Sequence, residues 1–221
     1  RILIRRLLHG NTDDSETSRI LLSLSQWGNM PMEKKKIIVG ATGASGLPLL
    51  IECLKFIRKE EGFSSVLLMT RGAELTLQHE TKMKASDVAE LADETFEIDE
   101  IGAGPASGSY LTAGMLIVPC SMKTLAGIHG GYADNLLLRA ADVMLKEKRT
   151  LVLAVRESPL SPIHLRNMHE LSLLPTVHIV PPMMVFYNQP KTIEEMVQQA
   201  AARLLAPFGL MAKAYRPWQG L

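Results

Sequence analysis

The sequence predicts an α/β fold built on a mainly parallel sheet. Three observations carry that prediction. Short apolar runs of strand length alternate along the chain with stretches whose apolar residues recur at helical spacing. The short runs are apolar without interruption, as strands buried on both faces must be. Glycines, prolines and capping residues sit between the segments. With 47% hydrophobic and 21% charged residues, the composition is that of a globular domain.

In chain order, residues 37–39 are the first strand. A helix follows over 47–61, with Leu47, Leu50, Ile51, Leu54 and Ile57 on one face. Pro48 is tolerated in its first turn, where the missing N–H has no intrahelical partner. Residues 66–70 are a strand and 71–79 a short helix. Ser86 caps a further helix, with Asp87 in its first turn. Phe96 and Ile98 alternate with acids, as in a half-exposed strand. Residues 105–109 form a loop of small residues and 115–118 a buried strand. A polar turn at 121–124 leads into a helix, and a longer helix spans about 133–148. Residues 151–155 are the next buried strand. Ser161-Pro162 opens a helix as N-cap and first-turn proline, and 177–180 is a strand. Thr192-Ile193-Glu194-Glu195 is a capping box for a helix to about 206, which Gly209 closes.

Residues 1–31 differ from the rest. The chain opens on Arg1, and Arg5 and Arg6 break the apolar start, which leaves no clean signal-peptide core. Asp13, Asp14 and Glu16 are unlike an acid-poor transit peptide. Met32, ahead of Glu33 and three lysines, reads as a natural chain start. The expected organisation is therefore a non-native or disordered extension over 1–31, the domain over 32–210 and a C-terminal tail over 211–221.

The formal charge of +1 gives no reason to expect nucleic acid or an acidic membrane as partner. No apolar run reaches the roughly 18 residues of a membrane span. Cys53 and Cys120 cannot form a disulfide framework, and both read as small core residues. A reducing compartment, the cytoplasm, is expected. The histidines and cysteines show no metal-ligand spacing.

The functional signal starts at Lys36-Ile-Ile-Val-Gly-Ala-Thr-Gly-Ala-Ser-Gly46. A strand, a turn with Gly40, Gly43 and Gly46, and a helix aim a helix N-terminus at whatever lies over the turn. Unpaired amides and the helix dipole there suit an anion, most often a phosphate. A glycine-rich turn without ligand has the same spacing, which alone is a weak signal. Parallel sheets bind ligands at the carboxyl ends of their strands, so the turns at 40–46, 70–72, 119–124 and 156–158 form one candidate site. A dinucleotide site usually offers an acid at the end of the second strand. Thr70 and Arg71 stand there, which disfavours NAD and leaves NADP only through Arg71. Hydroxyls at Ser45, Thr70, Ser121 and Thr124 suit a mononucleotide, with FMN the natural candidate. Each alone could be a cap or turn residue; four on converging turns weigh against that.

A second feature is cationic. Arg139 and Lys146, seven residues apart on one helix, share a face about 10 Å apart. Asp142 lies between them, so a solvated, salt-bridged face is the plainer reading. Arg156 and Glu157 follow a strand directly, and an Arg there offers a planar fork for phosphate. Tyr187 adds a phenol or anchors a loop; Arg203 by itself reads as a surface residue.

Together the motifs resemble the UbiX-type flavin prenyltransferases. Thr42-Gly-Ala-Ser-Gly46, Pro105-Ala-Ser-Gly-Ser109, Pro119-Cys-Ser-Met-Lys-Thr124, Arg139-Ala-Ala-Asp-Val143 with Leu145-Lys-Glu147, and Arg156-Glu-Ser-Pro-Leu160 occur in that order. His164-Leu165, Asn167-Met168, Phe186-Tyr187 and Pro190 continue the match, which covers about 36–209. The resemblance implies a three-layer flavodoxin-like (Rossmann-like) fold, assembled as a homododecamer. It implies metal-independent transfer of a dimethylallyl group from dimethylallyl phosphate to N5 and C6 of reduced FMN, giving prenylated FMN for a UbiD-type decarboxylase. It assigns Gly43, Ala44, Ser45, Thr70, Ser107, Ser121, Met122, Lys123, Thr124 and Arg156 to FMN. It assigns Arg139, Lys146, Tyr187 and Arg203 to the donor phosphate, some of them across a subunit interface. Glu157, Glu80, Lys146 and Ser45 take the catalytic roles, and Trp218 matches an aromatic on a mobile tail. The chain departs from the family at Ile101, six residues before Ser107, where a tryptophan is frequent. Isoleucine packs but offers no π face to an allylic cation. Two other readings share these motifs: an FMN carrier without chemistry of its own, and a flavin-dependent cysteine decarboxylase. Gly108-Ser109-Tyr110, where the latter continues with Asn, counts against it.

Overall fold

The computed structural model describes residues 34–211, 215–218 and 220. The extension expected over 1–31 lies outside the described residues, as does part of the tail. Six strands form one parallel sheet in the order β3-β2-β1-β4-β5-β6. In chain order these are β1 (Lys35–Ala41), β2 (Phe63–Met69), β3 (Glu94–Phe96), β4 (Gly114–Cys120), β5 (Thr150–Val155) and β6 (Val177–Ile179). The helices are α1 (Leu47–Lys59), α2 (Arg71–Glu80), α3 (Ala85–Ala89), α4 (Met122–His129), α5 (Leu136–Lys146), α6 (Pro162–Ser172) and α7 (Ile193–Leu205).

Strand residues alternate between two cores. Ile37, Val39, Leu116, Val118 and Val152 face the layer of α1, α2 and α7. Ile38, Met115, Ile117, Leu151 and Leu153 face the layer of α4, α5 and α6. This is the three-layer arrangement expected, with the strand order of the doubly wound nucleotide folds. The order reverses between β1 and β4, so the turns after these two strands open a crevice at the carboxyl edge.

Local chemistry accounts for most boundaries. Thr70, Ser121, Asn135, Ser161 and Thr192 are side-chain N-caps of α2, α4, α5, α6 and α7. Arg58 and Lys59 stand in the last turn of α1, where the dipole favours cations. Ser86 does not cap α3. The N-cap is Lys84, whose amide donates to Asp87 Oδ2 at 2.8 Å. The acid at the third helical position fixes the start two residues earlier than a serine cap at Ser86 would. The helix expected over 133–148 is shorter, because Asn135 caps it and Lys148 leaves helical space at φ 53. The pairing of β4 with β5 shifts register between Ile117 and Cys120. Pro119, which has no N–H for the ladder, lies in that interval.

Candidate functional site

Four turns are zipped together at the carboxyl edge. Thr42, 1% exposed, donates Oγ1 to Pro119 O and accepts from Ser121 N, both at 2.8 Å. Thr70 N donates to Ala41 O at 3.1 Å, and Arg156 N to Cys120 O at 3.1 Å. Gly43 lies against Gly72: a Cβ at Gly43 would come within 3.1 Å of the Gly72 backbone, so both turns require glycine-like clearance.

The turns at Thr42, Thr70 and Ser121 bound a cavity of about 540 Å³. Gly43, Thr70, Ser121, Lys123 and Thr124 line it, together with Arg71. The N-termini of α2 and α4 both open onto it, through their caps Thr70 and Ser121. Ser121 Oγ and Thr124 Oγ1 stand 3.1 Å apart. Two helix ends with Arg71 and Lys123 favour an anion on this side of the pocket. Its far wall holds Ile98, Asp99, Asp134, Asn135, Leu137 and Leu138.

The N-terminus of α1 is used differently. An anion was expected there, and the chain supplies its own. Glu80, at the end of α2, accepts from Gly46 N at 2.9 Å and Leu47 N at 2.8 Å. Gly46 has φ 127, open to glycine and strained for other residues. Gly40 serves packing and not ligand approach, since a Cβ would meet Leu137 Cδ1 at 3.0 Å.

A second cluster lies along α5. Arg139 Nη1 pairs with Asp142 Oδ2 at 2.5 Å, and its Nε donates to Ala106 O at 3.2 Å. Lys146 pairs with Glu147, whose carboxyl the ammonium holds below the usual range. Both stand against Gly108. Ser107, on the same loop, is exposed, with its hydroxyl 2.8 Å from Ser109 Oγ.

A third cluster is on the other layer. Tyr187, Asn188, Gln199, Arg203 and Tyr215 line a hollow of about 240 Å³. Trp218 meets the Tyr187 ring edge-on, with centroids 5.2 Å apart.

The flavoprotein family model matches residues 28–205. A UbiX-like flavin prenyltransferase of Escherichia coli O157:H7 is 50% identical over 186 residues, 84% of this chain and 94% of its own. The chain belongs to the UbiX-like flavin prenyltransferase family. Two solved structures of that family superpose closely. One is a dodecameric FMN-dependent UbiX-like decarboxylase from Escherichia coli O157:H7, 50% identical, TM-score 0.82, covering 84% of this chain and 100% of that one. The other is AnUbiX in complex with FMN and dimethylallyl pyrophosphate, 43% identical, TM-score 0.83, covering 86% and 100%. An FMN-dependent cysteine decarboxylase of thioviridamide biosynthesis, 14% identical at TM-score 0.57, shares the fold alone.

Seen as a UbiX-like prenyltransferase, the chain gathers five of the ten residues matched to FMN around one cavity: Gly43, Thr70, Ser121, Lys123 and Thr124. Ser45 and Arg156 are exposed on the adjoining turns. Ala44 and Met122 are buried, and Met122 packs into the α4–α6 core. Glu157 is exposed beside Arg156, with Oε1 accepting from Ser158 N at 3.0 Å. Ile101 is exposed on the loop before Ser107. The four residues that the resemblance assigns to a donor phosphate do not converge within one chain. Arg139 and Lys146 lie on the α5 layer, Tyr187 and Arg203 on the α7 side. The sequence reading missed Thr42 as the zip between turns, Asp99, Asp134 and Asn135 in the cavity wall, and Arg149. Asn135 had a signal, as a capping residue ahead of an apolar run; the others had none within their own stretch.

Proposed function

We propose that this chain transfers the dimethylallyl group of dimethylallyl phosphate to N5 and C6 of reduced FMN, releasing phosphate and making prenylated FMN for a UbiD-type decarboxylase. The observation that carries the reading is the 50% identity over 186 residues to a UbiX-like flavin prenyltransferase, in a chain whose switch-point turns enclose a cavity. The residues present fit FMN. The helix ends at Thr70 and Ser121, with Lys123, would hold its phosphate, since the α1 end is already filled by Glu80. The carboxylates and amide of Asp99, Asp134 and Asn135 suit ribityl hydroxyls, and Leu137 with Leu138 gives an apolar wall.

Reduced FMN supplies the nucleophilic nitrogen and ring carbon. Arg139, Lys146, Tyr187 and Arg203 would stabilise the charge that builds on the leaving phosphate. Their separation onto two layers is the reason to assemble protomers: Lys146 of one copy and Tyr187 with Arg203 of another complete one phosphate site. A dodecamer, as in the Escherichia coli relative, supplies such interfaces. Ser45 and Glu80 would move protons near N5, and Glu157 would take the proton lost when the second bond closes. The reading places the enzyme in the cytoplasm, compatible with two free, buried thiols.

The test is anaerobic. Purified protein with reduced FMN and dimethylallyl phosphate should yield a flavin heavier by one C5 unit by mass spectrometry. An unshifted flavin mass would overturn the reading.

A further inference from the structure

We propose that Arg149 is a positioning residue for the flavin site: it fixes the 106–112 segment, and with it Ser107, by gripping main-chain carbonyls. The proposal rests on the reading of Ser107 as a flavin contact.

The segment between β3 and β4 is a long connection whose only helical turn is Gly104–Ala106. Such a loop has little local structure to hold it. Its carbonyls are taken instead by two arginines from one helix and its exit. Arg139 Nε donates to Ala106 O at 3.2 Å. Arg149 Nη2 donates to Gly108 O at 2.5 Å, and its Nη1 to Tyr110 O at 2.8 Å and Thr112 Oγ1 at 3.4 Å. Ser107 therefore sits between two anchored carbonyls.

The exit of α5 explains why Arg149 reaches them. Arg149 N donates to Met144 O at 2.9 Å and Lys148 N to Leu145 O at 3.2 Å, with Lys148 left-handed at φ 53. That is the Schellman helix end, here formed with lysine where glycine is usual. It reverses the chain within one residue and points the next side chain back along the helix toward Gly108. The planar guanidinium holds its two carbonyls in fixed directions, which a lysine ammonium, with three donors on a flexible stem, does not. Gly108 completes the seat. A Cβ there would come within 2.8 Å of Lys146 Nζ and nearer still to Glu147 Oε1, so the loop backbone rests on that ion pair.

A guanidinium that merely stabilised the fold would change melting and leave ligand affinity alone. One that positions Ser107 must act through Ser107, and a double-mutant cycle separates the two. FMN itself is the probe, by quenching of flavin fluorescence with the full chain. Arg149→Met and Ser107→Ala should each weaken FMN binding about tenfold, the scale of one ligand hydrogen bond. The double variant should be no more than about twofold weaker than the worse single, because the second change removes nothing further. Arg149→Lys, which keeps charge and stem, should fall between wild type and Arg149→Met; it replaces Met in the cycle if that variant does not fold. Unchanged FMN affinity in the Arg149 variants, or effects that multiply to about a hundredfold, would overturn the proposal. A wild-type chain that fails to bind FMN would instead overturn the functional reading and this proposal with it. Normal wild-type binding with insensitive Arg149 variants overturns this proposal alone.

Discussion

Glu80 closes the amino end of the helix that begins at Gly46. Both carboxylate oxygens lie within hydrogen-bond reach of Gly46 N, Oε1 at 3.1 Å and Oε2 at 2.9 Å, and Oε2 also accepts from Leu47 N. A residue 34 positions away thus caps a helix that has no side-chain cap of its own. The same contact carries a charge to the turn that holds Ser45.

Removing the cap should be costly. Glu80→Ala leaves two amides of the first turn without an acceptor, and is expected to lower stability by about 1–2 kcal/mol. Glu80→Gln keeps an acceptor and should lose less than half of that. Urea denaturation midpoints of the three proteins check it; equal midpoints for wild type and Glu80→Ala would show that the cap contributes nothing.

Thr42→Val should be worse than its size suggests. Valine matches threonine in shape but strands Ser121 N and leaves Pro119 O without the hydroxyl, at a buried position. A cost of about 2–3 kcal/mol is expected from two unmade bonds. Because Ser121 caps α4 at the cavity, FMN affinity should fall as well; loss of stability with unaltered flavin titration would detach the zip from the site.

The base of the sheet should show a pH dependence. Lys36 Nζ lies 2.7 Å from Glu94 Oε1, and Tyr110 OH donates to Glu94 Oε2 at 2.8 Å. The bond from Lys36 holds the Glu94 carboxyl below its ordinary value, and the bond from Glu94 raises Lys36. A depressed carboxyl gives stability that is complete above its unfolded pKa of about 4.3 and is lost as pH falls through the lower folded value. A raised ammonium gives stability that is complete below about 10.4 and is lost as pH climbs through the higher folded value. Glu94→Gln should therefore flatten the acid limb of the stability profile between about pH 5 and 3. Guanidine melts at stepped pH measure it; identical acid limbs would mean that this half-exposed pair contributes nothing.

Gly108→Ala probes the seat under the loop. The intruding methyl meets the far ends of Lys146 and Glu147, which can swing away. Stability should change by less than about 1 kcal/mol, as at surface sites. Displacing Lys146 should raise the KM for dimethylallyl phosphate several-fold with FMN binding nearly intact. Steady-state kinetics beside a flavin titration separates the two effects, and an unchanged KM would remove Lys146 from donor binding.

Glu157→Gln should slow turnover by about two orders of magnitude, the usual contribution of a positioned base. FMN should stay bound, since Glu157 is exposed and apart from the lining of the cavity. Stopped-flow single turnovers read the rate directly, and an unaltered rate would take the proton from Glu157.

Much of this was legible because it is local. A short uninterrupted apolar run such as 115–118, with Gly114 and Pro119 at its ends, reads as a strand with both faces covered, and β4 is buried throughout. Ser161-Pro162 and Thr192 mark helix starts because capping is an affair of three or four neighbours. The cap at Ser86 was misplaced by the same rule. Serine and aspartate both cap, and only the geometry shows that Asp87 reaches back to Lys84. The motif at 42–46 with that at 119–124 pointed to a mononucleotide site, and the strand order brings those turns together.

Sequence alone determined the α/β class, through periodicity and caps, and the family, through motifs in their order, since these are properties of neighbouring residues. Only the tertiary structure decided that Glu80 fills the α1 end, that Arg149 grips a loop some 40 residues earlier, at Gly108 and Tyr110, and that Lys146 and Tyr187 lie on opposite layers. The reason is physical. Which layer a helix joins, and which distant backbone group a side chain meets, follow from the order in which strands pair. That order is a global minimum over the whole chain and is written in no single stretch of it.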